Sequence, residues 1–138
     1  MAQRFVPMLA YEDASLAAEW LSKAFDFAER ERFHDPQGVV TDVVLEYAGE
    51  IFLAGHPNAA YRGPRRHALS CATARSWLDT PYIVDGVLVY VDDVDEHHRR
   101  AKAAGAKILS EPEDNALQRQ YRCEDLEGHR WMFAKSKS

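Results

Sequence analysis

An α+β fold built from two tandem βαβββ modules is the architecture this sequence predicts, and three observations carry it. The opening RFVPMLAYEDASLAAEWLSKAF is echoed by DGVLVYVDDVDEHHRRAKAAGA, each an apolar stretch, an acidic pair and a helix-like segment; Asp13 recurs as Asp93, 80 positions later. The copies also end alike, as LEYAGEIFLAG and EDLEGHRWMFA, with Gly49 matching Gly128 at a separation of 79. Within each copy, period-2 alternation flanks a stretch of helical spacing. Two such units share a core, since neither is large enough to bury its apolar face well alone.

The elements follow in order. Residues 5–10 are apolar and bounded by Pro7, which suits a strand near an edge. Asp13 is a good N-cap, and Leu16, Ala17, Trp20, Leu21, Ala24 and Phe25 recur at helical spacing, predicting a helix over 14–25. Residues 29–34 form a strand ended by the turn Asp35-Pro36-Gln37-Gly38, and 39–46 and 50–54 form a hairpin around Tyr47-Ala48-Gly49. Residues 55–85 break the pattern with scattered Pro, Gly and aromatic residues, and read as a linker containing a helical turn near 72–78. The second module repeats the order: a strand over 86–91, a helix capped by Asp93 and stopped by Gly105, a short strand over 107–110, a loop over 111–115, then strands over 120–124 and 130–134. The division is therefore 1–54 for the first module, 55–85 for the linker and 86–138 for the second, in one compact domain overall.

Composition narrows the function classes. A chain of 138 residues, 46% hydrophobic, carries a net charge of −5, which disfavours a nucleic-acid partner. The one basic cluster, Arg62, Arg65 and Arg66 beside Gly63 and Pro64, reads as a solvated loop. Cys71 and Cys123 make no disulfide framework, and Cys123, alternating with Tyr121, reads as a buried structural thiol. With neither a signal peptide nor a membrane span in view, the expectation is a cytoplasmic protein with reduced thiols and no membrane partner.

Two consecutive βαβββ units with a hairpin written EDLEGHRWMF resemble the vicinal oxygen chelate superfamily, which includes glyoxalase I, bleomycin-resistance proteins, fosfomycin-modifying enzymes and extradiol dioxygenases. The most specific element is Asp125-Leu126-Glu127-Gly128-His129, similar to that family's Asp-Pro-Asp-Gly-His turn, with Leu126 in place of Pro. The resemblance implies that each unit curls its sheet into half of an open, cup-like barrel, with helices on the convex face and a cavity on the concave one. It also implies a homodimer, for which Trp77 and Tyr82 are candidate anchors. Alternation agrees with burial on two sides: Phe5, Pro7 and Leu9 alternate with Val6, Met8 and Ala10, and Val87, Val89 and Val91 with Gly86, Leu88 and Tyr90.

Catalytic members of the superfamily hold a divalent metal with His and Glu residues from the first and fourth strands of each unit. By the repeat, those positions are Val6, Leu53, Gly86 and Met132, and none supplies a nitrogen, thiolate or carboxylate ligand. Of their immediate neighbours only Asp85 can coordinate. No metal, no cofactor and no metal chemistry are therefore expected, although a lyase, isomerase or dioxygenase recruiting other ligands, such as His34 with Glu46, stands as the rival. His97 and His98, adjacent on a helix, read as a solvated face; His129 reads as a structural turn residue, and His56 and His67 as exposed. Ser70 and Cys71 lack a nucleophile elbow, and the glycines match no nucleotide fingerprint. Glu46, Glu124 and Asp42 are the carboxylates acid–base catalysis would use, but near strand ends they read as solvated.

What is left is a metal-free cup. Its candidate walls are Val6, Met8, Leu53, Leu88, Tyr90 and Met132, with Arg122, Arg130 and His34 as candidate polar contacts, a set suited to a bulky hydrophobic or aromatic ligand. Met8, Leu53 and Met132 equally suit a closed core, which would make the chain a folded interaction module. The resemblance favours a non-enzymatic binding protein of the bleomycin-resistance kind, sequestering an aromatic or antibiotic-like molecule.

Overall fold

The computed structural model describes residues 3–80 and 83–138; Pro81 and the candidate dimer anchor Tyr82 lie outside the described residues. The chain divides into two compact units, Met1–Gly63 and Pro64–Ser138. The first contains β1 (Met8–Ala10), α1 (Ala14–Phe25), β2 (Ala28–His34), β3 (Val40–Tyr47) and β4 (Glu50–Gly55). The second contains two short helices, α2 (Pro64–Ser70) and α3 (Ala72–Trp77), then β5 (Val87–Tyr90), α4 (Val94–Ala103), β6 (Lys107–Asp114), β7 (Gln118–Glu124) and β8 (Arg130–Ser136). The sheet orders are β1-β4-β3-β2 and β5-β8-β7-β6, each with one parallel pair (β1 with β4, β5 with β8) and two antiparallel ones. This is the α+β fold that the repeat predicts, with βαβββ written twice.

Local chemistry explains the boundaries. Asp13 Oδ1 accepts from the Leu16 N–H at 2.9 Å and Asp93 Oδ1 from the Glu96 N–H at 3.0 Å, so both long helices start on the same cap. Helix α1 stops at Asp26, which takes the left-handed conformation at φ 66°. Strand β1 is shorter than expected, beginning at Met8; Pro7 has no N–H, though its carbonyl accepts from the Leu53 N–H at 3.0 Å. Strand β6 runs on through residues 111–114, which sequence reasoning makes a loop. The register shift between Ser110 and Glu113 accommodates Pro112 without a ladder donor.

In the first unit, α1 buries Ala17, Leu21, Ala24 and Phe25 against β3 and β4, where Val43, Leu45 and Ala54 are fully buried. Phe27 joins edge-on to Phe25 at 5.7 Å and Phe52 at 5.3 Å. The second unit places Tyr121, Cys123, Trp131 and Phe133 in the core and α4 across them. Here the solvated-face reading of the helix histidines is overturned. His97 is buried, its ring 4.0 Å from that of Phe133 and its Nδ1 2.6 Å from the Tyr121 hydroxyl. His98 is half-buried, with Nε2 2.7 Å from the Glu111 carboxylate. Helix α4 is short of aliphatic residues, so an imidazole supplies its core contact.

The basic cluster is also corrected: Pro64 occupies the start of α2, and Arg65 reaches back to the turn after β7. Its guanidinium donates to the carbonyls of Leu126 at 2.9 Å and Asp125 at 2.8 Å, and to Glu124 Oε1 at 3.2 Å. That turn is organised by Asp125, whose Oδ1 accepts from the N–H groups of Glu127, Gly128 and His129 and whose Oδ2 accepts from Trp131 Nε1 at 3.1 Å. The Asp and Gly of the motif thus have physical reasons: one carboxylate gathers four donors, and Gly128 at φ +98° turns the chain.

Candidate functional site

Each sheet has one face under its helix and one open face. In the first unit the register sets Met8 beside Leu53 and Leu53 beside Val44, while Ala10, Gly55 and Asp42 form the next row. Side chains alternate, so these rows point away from the α1 side taken by Val43, Leu45 and Ala54. They border a cavity of about 320 Å³ lined by Met8, Leu9, Ala10, Thr41, Asp42, Leu53, Gly55, His56 and Pro57, a size at the lower end for small-molecule sites. Met8 is 76% exposed, so the cavity has an unburied apolar rim.

In the second unit the corresponding rows are Leu88 beside Met132 beside Arg122, and Tyr90 beside Ala134 beside Gln120, with Glu124 beside Arg130 further along the same face. Leu88 and Tyr90 are about half exposed, whereas Met132 is buried. Arg130 is buried too, and its role is internal. Its Nη2 donates to the Leu78 carbonyl at 2.6 Å and lies 3.0 Å from Glu124 Oε2, an ion pair whose alignment falls short of a hydrogen bond. Glu124 is 2% exposed, which overturns the reading of it as a solvated strand-end carboxylate. Gln118 Nε2 donates to Gln120 Oε1 at 2.7 Å and lies 3.7 Å from Met132 Sδ, so the polar groups beside Met132 pair with one another.

The nine candidate site residues therefore separate. Met8 and Leu53 meet in the cavity; Leu88, Met132 and Arg122 are neighbours on the second sheet, with Tyr90 two positions along β5 and Arg130 paired internally. Val6 precedes β1, and His34 sits exposed at the end of β2 opposite Val40; neither lines the cavity. Asp42 and His56, which sequence reasoning sets down as solvated and exposed, also line the cavity. The signal for Asp42 was its in-phase spacing with Val44; for His56 it was the position directly after β4.

The residues do not fit a divalent metal. Val6, Leu53, Gly86 and Met132 offer hydrocarbon, backbone and a thioether, and among the described residues no group of three or more His, Cys, Asp or Glu side chains is gathered to hold an ion. Asp42 and His56 in the cavity are only two donors. His34 and Glu46 lie toward opposite ends of the β2–β3 ladder, roughly 20 Å apart along the strand. Glu46 is moreover held by Arg30, whose hydrogen bond keeps its carboxyl below the usual carboxylate pKa. The Cys123 thiol is a poor nucleophile: burial, with the nearby Asp125 charge, pushes it far above its ordinary pKa.

Two mixed sheets of this order, each with one helix-covered and one open face, define a class, and comparisons with known proteins agree with it. Residues 5–133 match the Glyoxalase/Bleomycin resistance protein/Dioxygenase superfamily, and the chain belongs to that superfamily. Among solved structures, TioX from Micromonospora sp. ML1 is 32% identical, with 97% of this chain and 98% of that one covered at a TM-score of 0.72. TnmS3, an antibiotic binding protein from Streptomyces sp. CB03234, shares the fold at 15% identity, with 99% of each chain covered and a TM-score of 0.62. The fosfomycin resistance protein FosX from Listeria monocytogenes shares it at 14% identity, with 98% and 93% covered and a TM-score of 0.64. A comparison with curated proteins returned no match. Among the described residues no helix is long and apolar enough to cross a membrane.

Proposed function

We propose that this protein is a cytoplasmic binding protein that takes up a small hydrophobic or aromatic molecule by enclosure, without a metal and without chemistry. The observation that carries the reading is the first unit's open face. It holds an apolar cavity at Met8 and Leu53, and the first unit's own mapped metal positions, Val6 and Leu53, offer no ligand. On the second unit's own open face, Leu88, Tyr90 and Met132 offer apolar surface and Arg122 a polar group. The antibiotic binding protein TnmS3, which has the same fold, makes an antibiotic-like ligand a reasonable class. Half-exposed Leu88 and Tyr90 and the exposed Met8 and Phe5 suit a homodimer in which a second copy covers them.

Thermal-shift screening against aromatic antibiotics and against zinc, nickel, iron and manganese ions tests the reading, because any ligand of the native state raises Tm by mass action. Stabilisation by aromatic compounds and not by metals is expected. One tightly held ion per subunit after mild purification, with ring-cleaving or glyoxalase activity, would instead establish the metal-dependent alternative. Sedimentation at micromolar concentration checks the dimer.

A further inference from the structure

The polar atoms around the first unit's cavity share a property that composition alone does not require: they are acceptors. Asp42 contributes a carboxylate, and a Cβ built on Gly55 would sit 3.3 Å from its Oδ1, so the carboxylate lies over the glycine in the cavity wall. Thr41 Oγ1 directs its proton to the Phe33 carbonyl at 3.4 Å, leaving lone pairs. His56 Nδ1 is 3.4 Å from the Tyr11 carbonyl, which can only accept, so the tautomer that serves this contact holds its proton on Nδ1 and presents Nε2 as an acceptor. The bordering backbone donors are already used: the His56 N–H on the Thr41 carbonyl at 2.8 Å, the Leu53 N–H on the Pro7 carbonyl at 3.0 Å.

Resting on the binding-protein reading, we propose that this cavity selects aromatic ligands bearing an amino or ammonium group, which donates to Asp42 and His56 while the ring lies on Met8 and Leu53. A ligand presenting only acceptors would bury its lone pairs against those of the protein, an unpaired arrangement that costs affinity. A cationic donor gains most, since hydrogen bonds between charged groups are roughly twice as strong as neutral ones. Gly55 is part of the same device: its missing side chain leaves the room that Asp42 leans across.

The test uses three aromatic probes of equal size, naphthylmethylamine, naphthylmethanol and naphthoate, titrated calorimetrically into the full chain, Asp42→Asn and Gly55→Val. The amine is expected to bind about tenfold more tightly than the carboxylate, with the alcohol between them. Asp42→Asn, which keeps shape and removes charge, is expected to erase most of that gap. Gly55→Val is expected to weaken all three probes together, with its fold checked by circular dichroism. Equal affinity for the three probes, or an unchanged order in Asp42→Asn, overturns the selectivity and leaves the binding-protein reading standing. Binding of no probe, or full binding to folded Gly55→Val, removes the cavity as the site and the selectivity with it.

Discussion

The two units place different chemistry at matching points of one scaffold. Glu46 and Glu124 occupy the same position in their ladders, opposite Ile51 and Arg130. Glu46 remains partly exposed and pairs with Arg30 at its rim, whereas Glu124 is buried between Arg130 and Arg65. Asp42 and Gln120 also correspond, opposite Gly55 and Ala134. Gln120 accepts from Gln118 and Asn115, while Asp42 stands over a glycine beside a cavity. The second unit thus pairs these two acceptor residues with its own cations and amides, and the first leaves Asp42 beside a cavity. In a repeat, the copy that has not saturated itself is where a ligand has something to add.

The largest effect should come from breaking the second unit's internal pair. Arg130→Ala leaves the buried Glu124 with only the half-exposed Arg65 as partner and is expected to cost about 3–5 kcal/mol in chemical denaturation. The double change Glu124→Leu with Arg130→Met is expected to restore most of it, since apolar groups of similar size remove both desolvation costs. Glu46→Ala, at the matching site, should leave stability unchanged within error because its pair is solvent-exposed. Equal losses at both sites would erase the distinction between a sealed face and an open one.

The hairpins before β4 and β8 sharpen the comparison. Gly49 at φ +85° has open space around its Cα, but a Cβ on Gly128, at φ +98°, would meet the Arg65 backbone nitrogen at 2.9 Å. Gly49→Ala is expected to cost about 1 kcal/mol from backbone strain alone. Gly128→Ala adds displacement of α2 and should cost about 3 kcal/mol. Urea unfolding with unchanged m-values separates the two.

A third pair compares helix-to-sheet contacts. Ala17 lies over the first sheet where His97 lies over the second, and Tyr121 takes the place of Val43. Tyr121→Phe removes the 2.6 Å contact with His97 Nδ1 and is expected to cost about 1–2 kcal/mol. A neutral result would show that ring packing on Phe133 alone holds His97 in place.

These contrasts also mark what the sequence could show. Helix α1 was legible to the residue because its cap and its apolar stripe are local, and the repeat made α4 and the βαβββ succession of both units legible with it. Arg65, His97 and Glu124 were misread because their partners lie 24 to 61 positions away or across a sheet, where residue type alone favours solvent. Strand β6 was cut short at Pro112 because a register shift is decided by the neighbouring strand. Met8 and Leu53 were found by alternation. Asp42 and His56 were weighed and set aside because the cavity they border depends on Gly55, whose significance is a missing side chain.

The smallest effect concerns a proton. Cys123 is fully buried at the position where the first unit has Leu45, and desolvation, with the Asp125 charge behind it, raises its pKa above that of an ordinary thiol. Burial raises the pKa of Tyr121 as well, with Cys123 beside it as the next cause. The folded state therefore keeps protons that the unfolded chain releases, and unfolding becomes easier as pH rises. This contribution is complete below a thiol's ordinary pKa and is lost above about pH 9, reaching ~1 kcal/mol between about pH 9.5 and 10. Cys123→Val removes the thiol's share and should flatten the stability profile there. Equilibrium urea unfolding at steps from neutral pH to about pH 10 reads the slope. A wild-type profile no steeper than that of Cys123→Val would show that the buried thiol is not linked to folding, and the difference between the two cores would then be one of packing alone.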